Sequence, residues 1–220
     1  MKKQQTGFTL IELAIVLVII GLLLGGVLKG QELINSAKVK NMAGDFKNIQ
    51  VYIYGYQDKY KALPGDDKSA DKHLTGGVLA TSGAQGNGVI EGAYDSEDGK
   101  TESAMFWQHV RLAGLAAGPT AVTDTNYYPT NADGGRIGVS SVVGNTAVTV
   151  LSGVNGGISG AFIICSEGVL GKFAKQLDTT LDDGNTQTGS VRVVTKGTIS
   201  IGLTNDNVLD SSPYVVCMAF

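Results

Sequence analysis

Residues 8–28 read FTLIELAIVLVIIGLLLGGVL, a run of 21 residues in which Thr9 and Glu12 are the clearly polar members. About 20 consecutive apolar residues suffice to cross the hydrocarbon core of a membrane as a helix. The short segment before this run contains Lys2 and Lys3, and basic residues beside a membrane helix favour the cytoplasmic side. The run therefore predicts a membrane-spanning helix that places the rest of the chain outside the cytoplasm.

Glu12 is an acidic residue inside this apolar run. A carboxylate in the middle of a membrane helix costs roughly 2.5–3.5 kcal/mol on insertion scales, and a plain anchor gains nothing from it. We therefore treat Glu12 as a functional residue, the alternative being a side chain that reaches the membrane surface. A cleaved secretory signal is less favoured, because no convincing small-x-small cleavage site follows the run closely.

The sequence Gly7-Phe8-Thr9-Leu10-Ile11-Glu12, preceded by lysines and followed by the apolar run, resembles the prepilin signal of type IV pilins and type II secretion pseudopilins. In that family a membrane peptidase cleaves after the glycine and methylates the new N-terminal residue. The resemblance implies that residues 1–7 are a leader, that cleavage separates Gly7 from Phe8, and that Phe8 is N-methylated. It also implies that Glu12 acts in filament assembly.

Residues 29–62 continue the helix with one apolar face. From Leu33 onward, apolar residues recur mostly three or four positions apart, as on one side of an α-helix. Leu63-Pro64-Gly65-Asp66 should end it, because proline lacks a backbone donor and glycine frees the backbone. The apolar positions are Ile34, Ala37, Met42, Phe46, Ile49, Ile53, Tyr56 and Tyr60.

Residues 63–220 are rich in glycine and predict one globular head of the α+β class. Residues 65–100 look like a loop, and short alternating runs with turns between them favour an antiparallel sheet packed on the long helix. A hairpin turn is expected at residues 143–146. We predict helices at residues 103–115 and 169–181, and strands at residues 136–143, 146–151, 161–165, 190–195, 198–203 and 214–218. The predicted fold is thus α+β, with the long helix packed on an antiparallel sheet, and the resemblance described above implies a pilin-like arrangement of these parts.

Cys165 and Cys217 are the only cysteines of the chain. Outside the cytoplasm a disulfide is the expected state, the alternative being two buried free thiols. The placement resembles the late disulfide of type IV pilins, which brackets the C-terminal region. Type II secretion pseudopilins more often lack that bridge, so the resemblance favours a pilus subunit.

Composition excludes several classes of function. A net charge of −3 argues against a protein that mainly holds nucleic acid, and two histidines leave little for a multi-histidine metal centre. We predict no catalytic residues, no cofactor and no resident metal, and His109 beside Trp107 is expected to be a packed or surface histidine and not a catalytic base. Calcium is the one ligand to consider, on loops with Asp95, Glu97 and Asp98 or with Asp182 and Asp183, the alternative being solvated acidic loops.

The expected function is that of a structural subunit, not an enzyme. It would lie in the bacterial inner membrane through residues 8–28, be processed by the prepilin peptidase, and then join copies of itself in a surface pilus with the help of inner-membrane assembly machinery. One alternative is a pseudopilin in a periplasmic filament of a type II secretion system. Another is a membrane-anchored periplasmic enzyme or binding domain, which a catalytic constellation in the head would favour.

Overall fold

The computed structural model of the chain describes residues 9–142, 157–197 and 202–220. It divides into two compact units, the first ending at Lys38 and the second, the head unit, comprising Val39–Phe220. Helix α1, Leu10–Tyr60, begins in the first unit and ends in the head unit. Its end agrees with the stop signal at Leu63-Pro64, since Lys61 already has a positive φ of 54°.

The head unit combines short helices with a four-stranded sheet. The strands follow the spatial order β1-β2-β4-β3, and every neighbouring pair is antiparallel, as predicted. The elements after α1 are α2 (Ala70–His73), α3 (Glu102–Leu112), β1 (Ile137–Ser141), β2 (Phe162–Leu170), α4 (Gly171–Leu181), β3 (Val191–Val194), a 3₁₀-helix (Asn205–Asn207) and β4 (Pro213–Ala219).

One stripe of α1 forms the centre of the main hydrophobic core. It begins at Val39 and includes Met42, Phe46, Ile49 and Ile53, all buried. The spacing of three and four residues places these side chains on one helix face, against apolar residues of α3, α4 and the sheet. The predicted packing of the long helix on the sheet is confirmed within the head unit.

Alternation along the strands divides the sheet into two faces. In β4, Val216 and Met218 belong to the core that contains α1, whereas Val215 and Cys217 belong to a separate hydrophobic cluster. Successive side chains of a strand point to opposite faces, so the second cluster covers the face of the sheet away from α1. Both faces are therefore buried, although the sheet is antiparallel.

Strand β2 is longer than predicted. The sequence prediction ends this strand at residue 165 and starts a helix at residue 169, but the strand continues to Leu170 and α4 starts at Gly171. The cause is an irregularity between Ser166 and Val169, where the pairing with β4 shifts register and Gly168 has a φ of 67°. An inserted residue with positive φ is a β-bulge, which interrupts the alternation without ending the strand.

The segment 65–100 is not only a loop. It contains α2, and Leu74, Ile90 and Tyr94 are almost fully buried within it. Of the predicted strand 198–203, residues 202 and 203 are described and form no strand. The predicted strand 146–151 and the turn at 143–146 lie outside the described residues. The other predicted elements are present, with ends shifted by a few residues.

Candidate functional site

The first half of α1 exposes its apolar side chains. From Leu10 to Leu28 every large apolar residue is exposed, with exposed fractions between 46% at Ile20 and 89% at Leu10. Such a surface is unfavourable in water, so lipid or other apolar chains must cover it. Within the described residues α1 is the one helix long and apolar enough to cross a membrane, judged by length and composition.

Glu12 takes part in the N-terminal cap of this helix. The Thr9 hydroxyl accepts a hydrogen bond from the Glu12 amide at 3.3 Å, and Glu12 Oε2 accepts from the Thr9 amide at 2.9 Å and from its hydroxyl at 2.8 Å. This reciprocal pattern is a capping box, which satisfies backbone donors that a helix start leaves without partners. The sequence prediction for Glu12 considered assembly and missed this local role, although a Thr-x-x-Glu spacing could have indicated it.

Gly7 and Phe8, the predicted cleavage and methylation residues, lie outside the described residues. Their assignment therefore depends on sequence, and here the comparison with known families is informative. Residues 2–28 match the family model described as the prokaryotic N-terminal methylation motif. The chain carries a prepilin-type methylation motif. This motif is the signature of type IV pilins and pseudopilins, and it points to a structural subunit.

The prepilin motif and the apolar helix that follows it fit a subunit anchored in the inner membrane before assembly. The motif covers the N-terminal part of the chain only, and the head must be interpreted from its own structure. Comparison of the chain with curated proteins and with solved structures gives no match.

Cys165 and Cys217 form a disulfide. The two residues lie directly opposite each other in the antiparallel strands β2 and β4, and both are fully buried. They lie in the hydrophobic cluster on the face of the sheet away from α1. The bridge therefore links the two central strands of the sheet.

The turn after α1 anchors a neighbouring loop. The Asp66 carboxylate accepts hydrogen bonds from the backbone amides of Gly86, Asn87 and Gly88. Gly65 before it has a φ of 94°, and a Cβ there would lie 2.3 Å from the carbonyl oxygen of Glu102. The glycine is thus required both by its backbone conformation and by the close approach of α3.

Asp67 connects the end of α1 to helix α2. Its carboxylate accepts hydrogen bonds from the Tyr56 hydroxyl at 2.8 Å and the Ser69 amide at 2.9 Å, and it lies 2.6 Å from His73 Nδ1. Burial alone would raise the pKa of Asp67, but the hydrogen bonds from His73, Ser69 and Tyr56 hold it below the ordinary value. Asp67 and His73 line a cavity of about 610 Å³, together with Tyr60 and other residues near the end of α1. No periodic pattern in the sequence indicates this network.

Both ring nitrogens of His109 bind backbone groups. Nδ1 accepts from the Gly65 amide at 2.9 Å, so Nε2 carries the proton and donates to the Val78 carbonyl at 2.8 Å. The ring is fully buried, and burial lowers its pKa, which keeps the ring neutral. This histidine therefore serves packing and backbone hydrogen bonding, in line with its expected structural role.

The acidic residues considered for calcium separate into two groups. Asp182 and Asp183 lie beside Asp178, and one carboxylate oxygen of each lies within 4.8 Å of the others. Asp95, Glu97 and Asp98 form no such group within the described residues. The sequence prediction missed Asp178, although it precedes Asp182 by one helical turn.

Proposed function

We propose that the chain is a structural subunit of a type IV pilus-like filament. The observation that carries the proposal is the prepilin motif at residues 2–28, which includes the stretch Leu10–Leu28 of α1, where every large apolar side chain is exposed. In the membrane, lipid covers this surface; in a filament, the helices of other copies of the chain cover it. One segment thus serves as anchor before assembly and as filament core afterwards.

The steps and partners follow from that motif. The prepilin peptidase cleaves between Gly7 and Phe8 and methylates Phe8, and the assembly machinery of the inner membrane then moves the subunit into a filament of its own copies. The head lies outside the cytoplasm throughout. Its disulfide supports this placement, since structural disulfides persist in oxidising compartments.

A periplasmic pseudopilus is the second candidate function, and the prepilin motif is common to both kinds of filament. The disulfide between Cys165 and Cys217 favours the pilus, because the late bridge resembles that of type IV pilins. The deciding experiment is electron microscopy of material sheared from the cell surface, with mass spectrometry of its subunits. Filaments that contain the chain support the pilus. Absence of the chain from sheared material, together with a loss of protein secretion when its gene is deleted, would favour the pseudopilus.

Processing provides a direct test of the motif. We expect the mature chain to begin at Phe8 with a methylated amine, as measured by intact mass and N-terminal sequencing. Gly7→Ala should block most cleavage, because the added methyl group must enter the narrow peptidase site. Gly21→Ala is the matched control, since a Cβ at Gly21 meets no atom outside its own helix within 4 Å. A mature chain that retains residues 1–7, or normal cleavage of Gly7→Ala, contradicts the assignment.

A further inference from the structure

The C-terminal end of α4 gathers three carboxylates. Asp178 lies in the last turns of the helix, and Asp182 and Asp183 follow its last residue, Leu181. One carboxylate oxygen of each residue lies within 4.8 Å of the others. Three like charges at this spacing repel one another, so the arrangement needs a compensating positive charge or a bound proton.

Asp178 differs from an ordinary surface acid. Its side chain is fully buried, and Oδ1 accepts one hydrogen bond, from the Gly184 amide at 3.2 Å. Its other oxygen, Oδ2, is buried and has no hydrogen-bond partner within the described residues. A buried carboxylate oxygen without a partner is costly, and native proteins usually satisfy such an atom with a donor, a water molecule or an ion.

The other two carboxylates are held in place by the first residue of β3 and by the loop before that strand. Asp182 Oδ2 accepts from the Val191 amide at 3.0 Å. Asp183 accepts from the Asn185 amide at 2.8 Å and from the Thr188 hydroxyl at 2.9 Å. These bonds orient the carboxylates and leave further oxygen lone pairs for a ligand.

The positive charge of Arg192 compensates the negative charges of the three carboxylates only in part. Burial and the charges of Asp183 and Asp182 raise the pKa of Asp178 to about 6, although the Gly184 amide and Arg192 act in the opposite direction. The Arg192 guanidinium donates to the carbonyls of Gly189 and Gln187, at 3.1 and 2.6 Å. It thus contributes one positive charge beside three carboxylates.

We infer that Asp178, Asp182 and Asp183 form a binding site for a hard divalent cation of calcium size. All three donors are oxygen atoms, which suit calcium and magnesium and not the softer transition metals. Three oxygens that lie within 4.8 Å of one another all lie within about 2.8 Å of a common point, close to the Ca–O distances of about 2.3–2.6 Å, so small side-chain rotations would bring them to a shared Ca²⁺. Mg²⁺ binds at about 2.1 Å in strict octahedral geometry and releases its water reluctantly, which makes this irregular set of ligands a poorer match.

By binding carboxylates from both, the cation would link the end of α4 to the loop before β3. Asp178 belongs to the helix, whereas Asp183 is bound to Asn185 and Thr188 of the loop. Because the cation binds the folded head and not the unfolded chain, it raises the stability of the head by mass action. The site is independent of the proposed filament function, and purified protein suffices to test it.

The test measures Ca²⁺ binding to the full chain, purified in detergent and treated with a chelator. We expect one saturable site per chain, with a Kd in the range of about 0.1–1 mM typical of extracellular modules, and a rise in Tm on addition of Ca²⁺. The same concentration of Mg²⁺ should raise the Tm less. Asp178→Asn and Asp183→Asn should each weaken Ca²⁺ binding by at least about tenfold.

Asp206→Asn is the matched control, since Asp206 is an exposed acid in the nearby 3₁₀-helix and should keep wild-type Ca²⁺ binding. Asp183 is also exposed, so Asp183→Asn keeps the test valid even where Asp178→Asn does not fold. Absence of saturable binding up to about 10 mM Ca²⁺ overturns the inference. Undiminished Ca²⁺ binding by Asp183→Asn also overturns the inference, because the cation would then bind elsewhere.

Discussion

Glu102 shows what burial does to a single carboxyl group. The side chain has no exposed surface, Oε2 accepts from the Glu91 amide at 2.7 Å, and Oε1 has no hydrogen-bond partner within the described residues. Burial, with smaller contributions from the charges of Asp66 and Glu91, raises the pKa of Glu102 to about 7. In the folded head this group therefore keeps its proton over a pH range in which an unfolded glutamate loses it.

The sign of the resulting pH dependence is fixed by this shift. The carboxyl loses its proton near pH 4.5 in the unfolded chain and near pH 7 in the folded one, so stability falls as pH rises between these values. The shift corresponds to at most about 3 kcal/mol. Glu102→Gln imitates the protonated acid, and its free energy of unfolding should fall less between pH 5 and about 7.5 than that of the wild type. Urea unfolding at several pH values measures this pH dependence of the free energy of unfolding.

Glu97→Gln, at an exposed position, is the control. If the free energy of unfolding changes with pH equally in wild type and Glu102→Gln, the prediction is contradicted.

Single residues also show where sequence reasoning stops. A non-catalytic role for His109 was predictable, because no acidic partner for it stands at a meaningful spacing, but whether its ring is packed or exposed was not. Its actual partners, the Gly65 amide and the Val78 carbonyl, lie 44 and 31 residues away along the chain. Asp67 likewise binds Tyr56 and His73 across a helix end, where no periodicity links them. Such contacts depend on tertiary placement, which local pattern does not encode.

At the scale of secondary-structure elements, a segment with regularly spaced apolar residues was predictable from the sequence, whereas a segment in which that spacing is interrupted was not. Helix α1 follows from its apolar spacing and from Pro64, and its end at Tyr60 agrees with that signal. Strand β2 was cut short in the prediction, because Ser166-Glu167-Gly168 breaks the apolar alternation. The structure accommodates those residues in a bulge and buries Ser166 and Glu167. A bulge is specified by the pairing of two strands, so one strand's sequence does not reveal it.

The disulfide between β2 and β4 leads to a prediction about the stability of the head unit. The disulfide joins residues 52 positions apart, so it restricts the unfolded chain strongly, and its removal should lower the free energy of unfolding by about 2–5 kcal/mol. We expect this loss for Cys165→Ala/Cys217→Ala in the full chain, followed in urea by fluorescence of Trp107, the single tryptophan.

Wild-type protein kept reduced is the control and should be about as unstable as the variant. Because both cysteines are fully buried, alkylation must be performed on unfolded protein. Thiols that react there without reductant would show that the bridge is absent from exported chain. Equal stability of oxidised wild type and variant would show that the bridge adds nothing.

At the scale of the whole molecule, the two units have opposite surfaces. The head unit buries its apolar residues on both faces of its sheet, whereas α1 from Leu10 to Leu28 exposes them. The exposed apolar side chains of this helix are unfavourable in water and require lipid or another apolar surface to cover them. Glu12 is the one charged side chain between Leu10 and Leu28, so its predicted role in assembly can be tested against its local role in the helix cap.

Two roles for Glu12 can be separated by substitution. Its carboxylate accepts hydrogen bonds from Thr9 in the capping box. In the proposed filament, the amine that cleavage would create on Phe8 of an incoming subunit would pair with the Glu12 of a neighbour. Such a pair would compensate a charge that is costly in an apolar environment and would set the axial register of the filament. Glu12→Ala removes both roles. Glu12→Gln keeps an acceptor for the cap and removes only the charge.

We expect Glu12→Ala and Glu12→Gln to leave membrane insertion, cleavage and the disulfide intact and to reduce filament incorporation by a similar factor. The measurement is the yield of sheared filaments relative to total membrane-bound chain. Glu32→Ala is the control, because Glu32 is an exposed acid on the same helix, beyond the apolar run, and pairs with Lys29. If Glu12→Gln assembles like wild type and Glu12→Ala does not, the cap is the part that matters, because the charge is then dispensable. If both variants assemble normally, the pairing between subunits is wrong, and Glu12 serves only its own helix.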